Sequence, residues 1–243
     1  MVELPGAPSP VARSRKRRNK LGCGVLIAPL LALAGYAALS AKSWHPSDSA
    51  YPVQGIDVSH HQGAIEWPLL PAQGVDFAYI KATEGGDFVD PAFPRNWREA
   101  KRAGIRRGAY HFFTLCRSGA DQAANFIATV PVDPDALAPV VDLEFLGNCS
   151  QRPRVAEVQA ELATFLLLVE RHYDQQAVLY LTEEFDRTHE VSTLFGRPLW
   201  LRSLVFKPDF GARPWVIWQA SNFRRLDGIV GRVDWNVMRP EVD

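Results

Sequence analysis

Eight short apolar runs, with helix-length stretches between several of them, constrain this chain more than anything else in it: QGIDVSHH, FAYIKATE, RRGAYHFF, APVVDLEF, AVLYLTEEF, PLWLRSL, WVIWQAS and GRVDWNVM. They are rich in β-branched and aromatic residues and are bounded by Gly, Pro and polar residues, which reads as strands. Helical stretches fall around Phe93 to Ala103, around Gly119 to Thr129, and along the amphipathic run Val155 to Tyr173. Strands alternating with helices indicate parallel βαβ units. About eight such strands predict an α/β fold: an irregular, TIM-like (β/α) barrel with eight strands and fewer than eight helices, because the late connections are too short for full helices.

The polar residues fall in a consistent place along those runs. Asp57, Glu84, His111, Asp142, Glu144, Thr182, Gln219 and Asp234 all lie at or near the C-terminal end of an apolar segment. In a barrel those ends converge on one face, where catalytic groups gather. VVDLEF, Val140 to Phe145, is the sharpest case, since Asp142 and Glu144 at i and i+2 share one face of a strand. Two acids in an apolar element with no adjacent cation are costly unless they open into a wet cleft. Asp57 from the first strand and Asp234 from the last are expected beside each other, because the first and last strands of a closed barrel are neighbours. Clustered carboxylates push one another's pKa values apart, so one stays protonated near neutral pH. A protonated acid beside ionised ones is the equipment for breaking a glycosidic bond. The competing reading for any single Asp is a surface acid capping a helix or pairing with Arg or Lys.

The N-terminal segment predicts export. Residues 1–20 form a basic tail, with Arg13, Arg15, Lys16, Arg17, Arg18 and Lys20 against Glu3 alone, and residues 21–41 contain no charged side chain. A span of about 20 apolar residues matches the hydrocarbon core of a bilayer, and flanking Lys/Arg keeps that flank cytoplasmic. Residues 21–41 therefore read as one transmembrane helix or uncleaved signal, residues 42–51 as a linker, and residues 52–243 as the catalytic barrel. A cleaved signal peptide is the alternative, because Ala38 with Ser40, or Leu39 with Ala41, resembles a cleavage site. The expected location is the inner membrane with the barrel in a Gram-negative periplasm, or secretion if the segment is cut. Beyond residue 41 the chain carries 21 basic and 26 acidic residues, a poor surface for nucleic acid. Cys116 and Cys149 each follow a predicted strand and can form one disulfide in an oxidising compartment, with two free thiols as the alternative. No CxxC or HExxH spacing is present, so neither a metal nor a cofactor is expected. His60, His61 and His111 read as structural histidines for want of a second ligand at useful spacing.

GIDVSHHQG (Gly55 to Gly63), FAYIKATEG (Phe77 to Gly85), GAYHFF (Gly108 to Phe113), VVDLE (Val140 to Glu144) and WQAS...GIVGRVDWN (Trp218 to Asn236) resemble, in order and spacing, the lysozymes of glycoside hydrolase family 25. The resemblance implies an N-acetylmuramidase that cuts the β-1,4 bond between N-acetylmuramic acid and N-acetylglucosamine in peptidoglycan. It implies that Glu144 is the general acid. Asp142 either orients the substrate's 2-acetamido group as an internal nucleophile or stabilises the cation, and Asp57 and Asp234 supply electrostatics and hold substrate or water. Tyr110, Tyr180 and Gln219 resemble groove-lining positions. Tyr110 and Trp218 are candidate stacking platforms for sugar rings, with core packing the competing role.

The chain departs from the family pattern on the sixth strand. Many members read Trp-x-Ala-x-Tyr there, whereas this sequence reads Trp200-Leu201-Arg202-Ser203-Leu204. An arginine near the groove can bind a carboxylate of the muramyl residue or neutralise the acidic cluster. The expected partners are peptidoglycan glycan strands and, through residues 21–41, the inner membrane; the expected protein is a monomer. Two other classes remain open. A catalytically silent glycan-binding or wall-assembly module would usually lack one of the four acids, and a chitinase-like hydrolase would carry a longer DxxDxDxE run.

Overall fold

The computed structural model describes residues 44–240 and the single position Pro29. The expected membrane segment, residues 21–41, and the basic tail before it lie outside the described residues. Among those described, no helix is long and apolar enough to cross a membrane.

Nine strands form one sheet: β1 (Gln54–Val58), β2 (Phe77–Glu84), β3 (Phe88–Val89), β4 (Arg106–Phe112), β5 (Val140–Leu143), β6 (Val178–Thr182), β7 (Leu199–Arg202), β8 (Ile217–Arg224) and β9 (Val233–Met238). Its order is β1-β9-β8-β7-β6-β5-β4-β2-β3, and an additional β1–β2 pairing closes eight strands into a barrel, with β3 a two-residue hairpin arm on β2. The helices are α1 (Phe93–Arg102), α2 (Gly119–Thr129), α3 (Val155–Tyr173), α4 (Glu183–His189) and α5 (Val191–Leu194), so fewer than eight are present among the described residues. Short 3-10 turns replace a helix after β1, and no helix separates β7 from β8.

The expectation of parallel strands holds for seven of the eight. β9 runs antiparallel to both neighbours, β1 and β8. The reason is chain length: residues 225–232 are too few for a right-handed crossover, and a short connection returns as a hairpin. Asp234 is therefore at the N-terminal end of its strand, not the C-terminal end. Antiparallel direction brings that end to the barrel mouth, where Asp57 and Asp234 are register partners.

Alternation along each strand divides the apolar residues into two cores. Inside the barrel, Phe77, Tyr79, Val140, Val178, Tyr180, Trp200 and Ile217 pack together. Outside it, residues such as Ile56, Ile80, Val141, Leu179 and Leu181 pack with helix residues such as Phe126, Leu162 and Phe165. The inner core has room for its large rings because two neighbours have no side chain. A Cβ on Gly55 would come within 2.2 Å of the Phe77 carbonyl oxygen, and one on Gly108 within 2.2 Å of the Tyr79 ring. Both Phe77 and Tyr79 are almost wholly enclosed, so neither can yield.

Overpacking of this kind sets the prediction for the fold. Gly55→Ala and Gly108→Ala should each lower the unfolding free energy by about 1–3 kcal/mol, Gly55 more because it meets backbone. Gly196→Ala, which meets nothing within 4 Å, should stay within about 0.5 kcal/mol of the parent. Urea unfolding of the three variants measures this, and equal effects at all three sites would contradict the packing account.

Candidate active site

The barrel mouth opens into a groove of about 510 Å³. Asp57, Asp142, Glu144 and Asp234 all line it, together with Tyr110, Tyr180, Trp200, Arg202, Gln219, Lys81 and Glu84. Strand periodicity explains the set. On β5, Val140 faces the inner core and Val141 and Leu143 the outer one, so Asp142 and Glu144 continue the inward face upward into the groove. The same rule explains Trp200 and Arg202 on β7.

Three of the eight polar residues at strand ends are placed otherwise than expected. His111 points outward, accepting or donating at Thr83 Oγ1 (2.8 Å) and Gln122 Oε1 (3.1 Å), and its ring stacks on Phe165 of α3. Burial pushes it down to about 3, so it is a neutral structural histidine. Thr182 caps α4 through the Phe185 N–H (3.4 Å), and Asp234 reaches the mouth from the start of its strand. Trp218, a candidate stacking platform with core packing as the competing role, takes the core role: it is 4 % exposed in the outer core, with its indole N–H donated to the Ser203 carbonyl oxygen (2.6 Å). Successive strand residues face opposite sides, so Gln219 in the groove requires Trp218 outside it. Trp200, which the sequence reading did not assign, is the tryptophan that lines the groove.

Asp57 anchors the site. Its Oδ2 accepts from Asn236 Nδ2 (2.7 Å) and Gln219 Nε2 (3.1 Å). Those two amides are themselves oriented: Trp200 Nε1 donates to Asn236 Oδ1 (3.0 Å), and the Tyr180 hydroxyl donates to Gln219 Oε1 (2.9 Å). An amide whose oxygen is occupied must present its NH2 to Asp57. Burial raises the Asp57 pKa, and the Asn236 and Gln219 amides, followed by a hydrogen bond from Asp234, hold it back toward the charged form. Asp234 is the protonated partner, pushed up to about 8 by burial and then by the Asp57 charge, against the pull of Arg202.

The pair on β5 behaves differently. Burial, then the charges of Glu144 and Asp57, raise Asp142 well above the usual carboxylate range. Its Oδ1 is enclosed and has no hydrogen-bond partner among the described residues. Burial also raises Glu144, where Arg202 opposes the shift most strongly and Asp57 adds to it. The phenols of Tyr110 and Tyr180 are pushed well up by burial and by the acids around them, so both remain donors.

The loop after Glu144 is held from behind. Cys116 and Cys149 form a disulfide, with Cα atoms 6.3 Å apart, joining the loops after β4 and β5. Asn148 adds a four-way clamp: its Oδ1 accepts from the N–H groups of Leu115 (3.0 Å) and Cys149 (2.9 Å), and its Nδ2 donates to the carbonyls of Phe113 (2.9 Å) and Glu144 (3.0 Å). Asn148 lay outside every motif, and Asn236, though it ends the GRVDWN motif, was given no role, because their partners come from distant strands. Lys81, also unassigned, pairs with Glu84 (2.6 Å) in the groove wall. Among the described residues no three His, Cys, Asp or Glu side chains are arranged to hold a metal ion.

A closed α/β barrel with a mouth lined by a proton-sharing set of carboxylates and by aromatic rings is the architecture of a glycoside hydrolase. The model of the family described as glycosyl hydrolases family 25 matches residues 56–229. Lysozyme M1 of Streptomyces globisporus is 33% identical over 203 residues, covering 79% of this chain and 69% of the relative. A family 25 glycosyl hydrolase structure from Bacillus anthracis superposes with a TM-score of 0.74 at 36% identity, covering 81% of this chain and 93% of that one. The bacterial lysozyme of Streptomyces coelicolor gives 0.71 at 32% identity, covering 77% and 92%. The chain belongs to glycosyl hydrolase family 25 and is a glycoside hydrolase of the lysozyme type.

The carboxylates also set the pH dependence of stability. A folded pKa raised above the ordinary value of 3.8 means that the native state binds protons the unfolded chain has already released. This contribution is complete below about pH 4 and is lost as pH rises through about 8. His111 works in the opposite sense, but only below its ordinary value of 6.5. The melting temperature should therefore fall between about pH 6.5 and 8.5, and Asp234→Asn should flatten that fall while raising the melting point at the alkaline end. Scanning calorimetry across this range measures it, and a parent protein whose melting point rises with pH here would rule out the shared-proton description.

Proposed function

We propose that the protein is an N-acetylmuramidase that hydrolyses the β-1,4 bond from N-acetylmuramic acid to N-acetylglucosamine in peptidoglycan, with Glu144 as general acid. The observation that carries this reading is the acid cluster itself: Glu144 pushed by burial toward its protonated form at the groove wall, beside an Asp57 whose own burial-driven rise is held back by two oriented amides. The names of family relatives support it, since the match to Lysozyme M1 runs over 203 residues, and the N,O-diacetylmuramidase of Chalaropsis sp. is 38% identical over 80 residues.

In this mechanism the Glu144 proton passes to the glycosidic oxygen as the bond to C1 breaks. The carbonyl oxygen of the muramyl 2-acetamido group attacks C1 from the opposite face, and Asp142 Oδ1, with no protein partner of its own, accepts the acetamido N–H. The Glu144 carboxylate then takes a proton from water, which opens the cyclic intermediate and leaves the configuration at C1 retained. Asp57 faces the developing positive charge, and Asp234 helps to hold the water. Tyr110 presents its ring to the sugars, Trp200 floors the groove from the inner core, and Gln219 holds Asp57. We assign the enzyme to the exported side of the inner membrane, tethered through residues 21–41, acting as a monomer on glycan strands.

Reducing ends released from purified peptidoglycan by the full chain should be muramic acid. Glu144→Gln should lower turnover by about 100- to 10,000-fold with binding retained, the range for loss of a general acid. Asp142→Asn should act mainly on turnover as well. N-acetylglucosamine at the new ends would overturn the bond assignment, and binding without release by the parent would favour a silent glycan-binding module.

A further inference from the structure

Two cations, Lys81 and Arg202, line the groove. Lys81 is already used: it pairs with Glu84 at 2.6 Å and lies over the Phe112 ring at 4.9 Å. Arg202 is not. Among the described residues no carboxylate lies within ion-pairing distance of it, and its side chain makes no hydrogen bond to a protein acceptor. Its neighbours across the sheet cannot supply one. Arg202 is in register with Thr182 on β6 and Gln219 on β8. Thr182 Oγ1 accepts from the Phe185 N–H, and Gln219 is committed to Tyr180 and Asp57. Strand alternation nevertheless aims Arg202 into the groove, half-buried above Trp200.

A guanidinium carries five donors in a planar fork matched to a carboxylate, and holding one half-buried without a partner is unfavourable unless the ligand supplies it. Resting on the muramidase reading, we infer that Arg202 is a specificity residue that binds a carboxylate carried on the O3 side arm of the muramyl unit. Two sources share that chemistry: the free lactyl carboxylate of a peptide-free glycan strand, and a carboxylate of the stem peptide where the lactyl group is amide-bonded. The rival role is purely electrostatic, since Arg202 also favours the charged forms of Asp57, Glu144 and Asp234 from a distance. That role would act on every substrate alike.

The test uses three glycans: intact peptidoglycan strands, peptide-free strands with free lactyl groups, and peptide-free strands with those groups converted to methylamides. Arg202→Ala should lose about 10- to 100-fold in kcat/KM on carboxylate-bearing glycan, mostly through KM. Parent and variant should converge on the methylamide strands, because both then lack the ion pair. Loss on peptide-free strands identifies the lactyl carboxylate, and loss on intact strands the peptide. Arg202→Lys, which keeps the charge but not the fork, should recover only part of the loss, and the pH profile of kcat should stay in place. Equal loss on all three glycans with a shifted pH profile, full recovery by Lys, or no loss anywhere would overturn the inference while leaving the muramidase intact. A parent enzyme that cleaves none of the three would remove the reading on which it rests.

Discussion

The oriented amides around Asp57 are the contact on which the rest of the site depends. Four acids crowd one end of a narrow barrel, and like charges this close cannot all ionise. Left to mutual repulsion they would share protons without preference. Trp200 and Tyr180 occupy the amide oxygens of Asn236 and Gln219, and both NH2 groups then face the same oxygen of Asp57. The rise that burial imposes on Asp57 is thereby held back, and its neighbours carry more of the proton. Asp234, in register with Asp57 on the antiparallel strand, takes up part of that load.

The inner core makes this arrangement possible. Trp200 and Tyr180 are core rings below and hydrogen-bond donors above, so the layer that fills the barrel also sets the polarity of the layer over it. Glycines at positions 55 and 108 admit the large rings beneath, which fill the barrel under the groove. The Cys116–Cys149 bridge and the Asn148 clamp fix the loop that carries on from Glu144, so the acid is positioned from both its strand and its loop. Asp142 sits between these supports with one oxygen unengaged.

Much of this was legible from residue patterns, for physical reasons. Period-two alternation places Asp142 and Glu144 on one face, and barrel closure makes Asp57 and Asp234 neighbours; both follow from local geometry. Helices at 119–129 and 155–173 follow from the helical stretches between the apolar runs, the second of them amphipathic, and the structure adds a Ser118 cap to the first. Trp218 was left open between platform and core although the same alternation, applied to Trp218 and Gln219 together, excludes the platform. The reversed direction of β9 was also written in the short segment 225–232, with Gly228 and Gly231 at positive φ. The contacts of Asn236 and Asn148 were not legible, because they join residues from separate strands: the GRVDWN motif includes Asn236 without naming its partners, and no local pattern distinguishes Asn148 from a surface asparagine.

The central claim, that oriented donors hold the rise of Asp57 below that of its neighbours, is tested most directly by carbon-detected NMR of the side-chain carboxyl resonances of the four acids through a pH titration. The account predicts that Asp57 titrates below Asp142 and Asp234, that Asp234 titrates near pH 8, and that replacing Asn236 by Ala raises Asp57 and lowers Asp234 together. Four independent titrations near the ordinary carboxylate value, unmoved by that substitution, would contradict it.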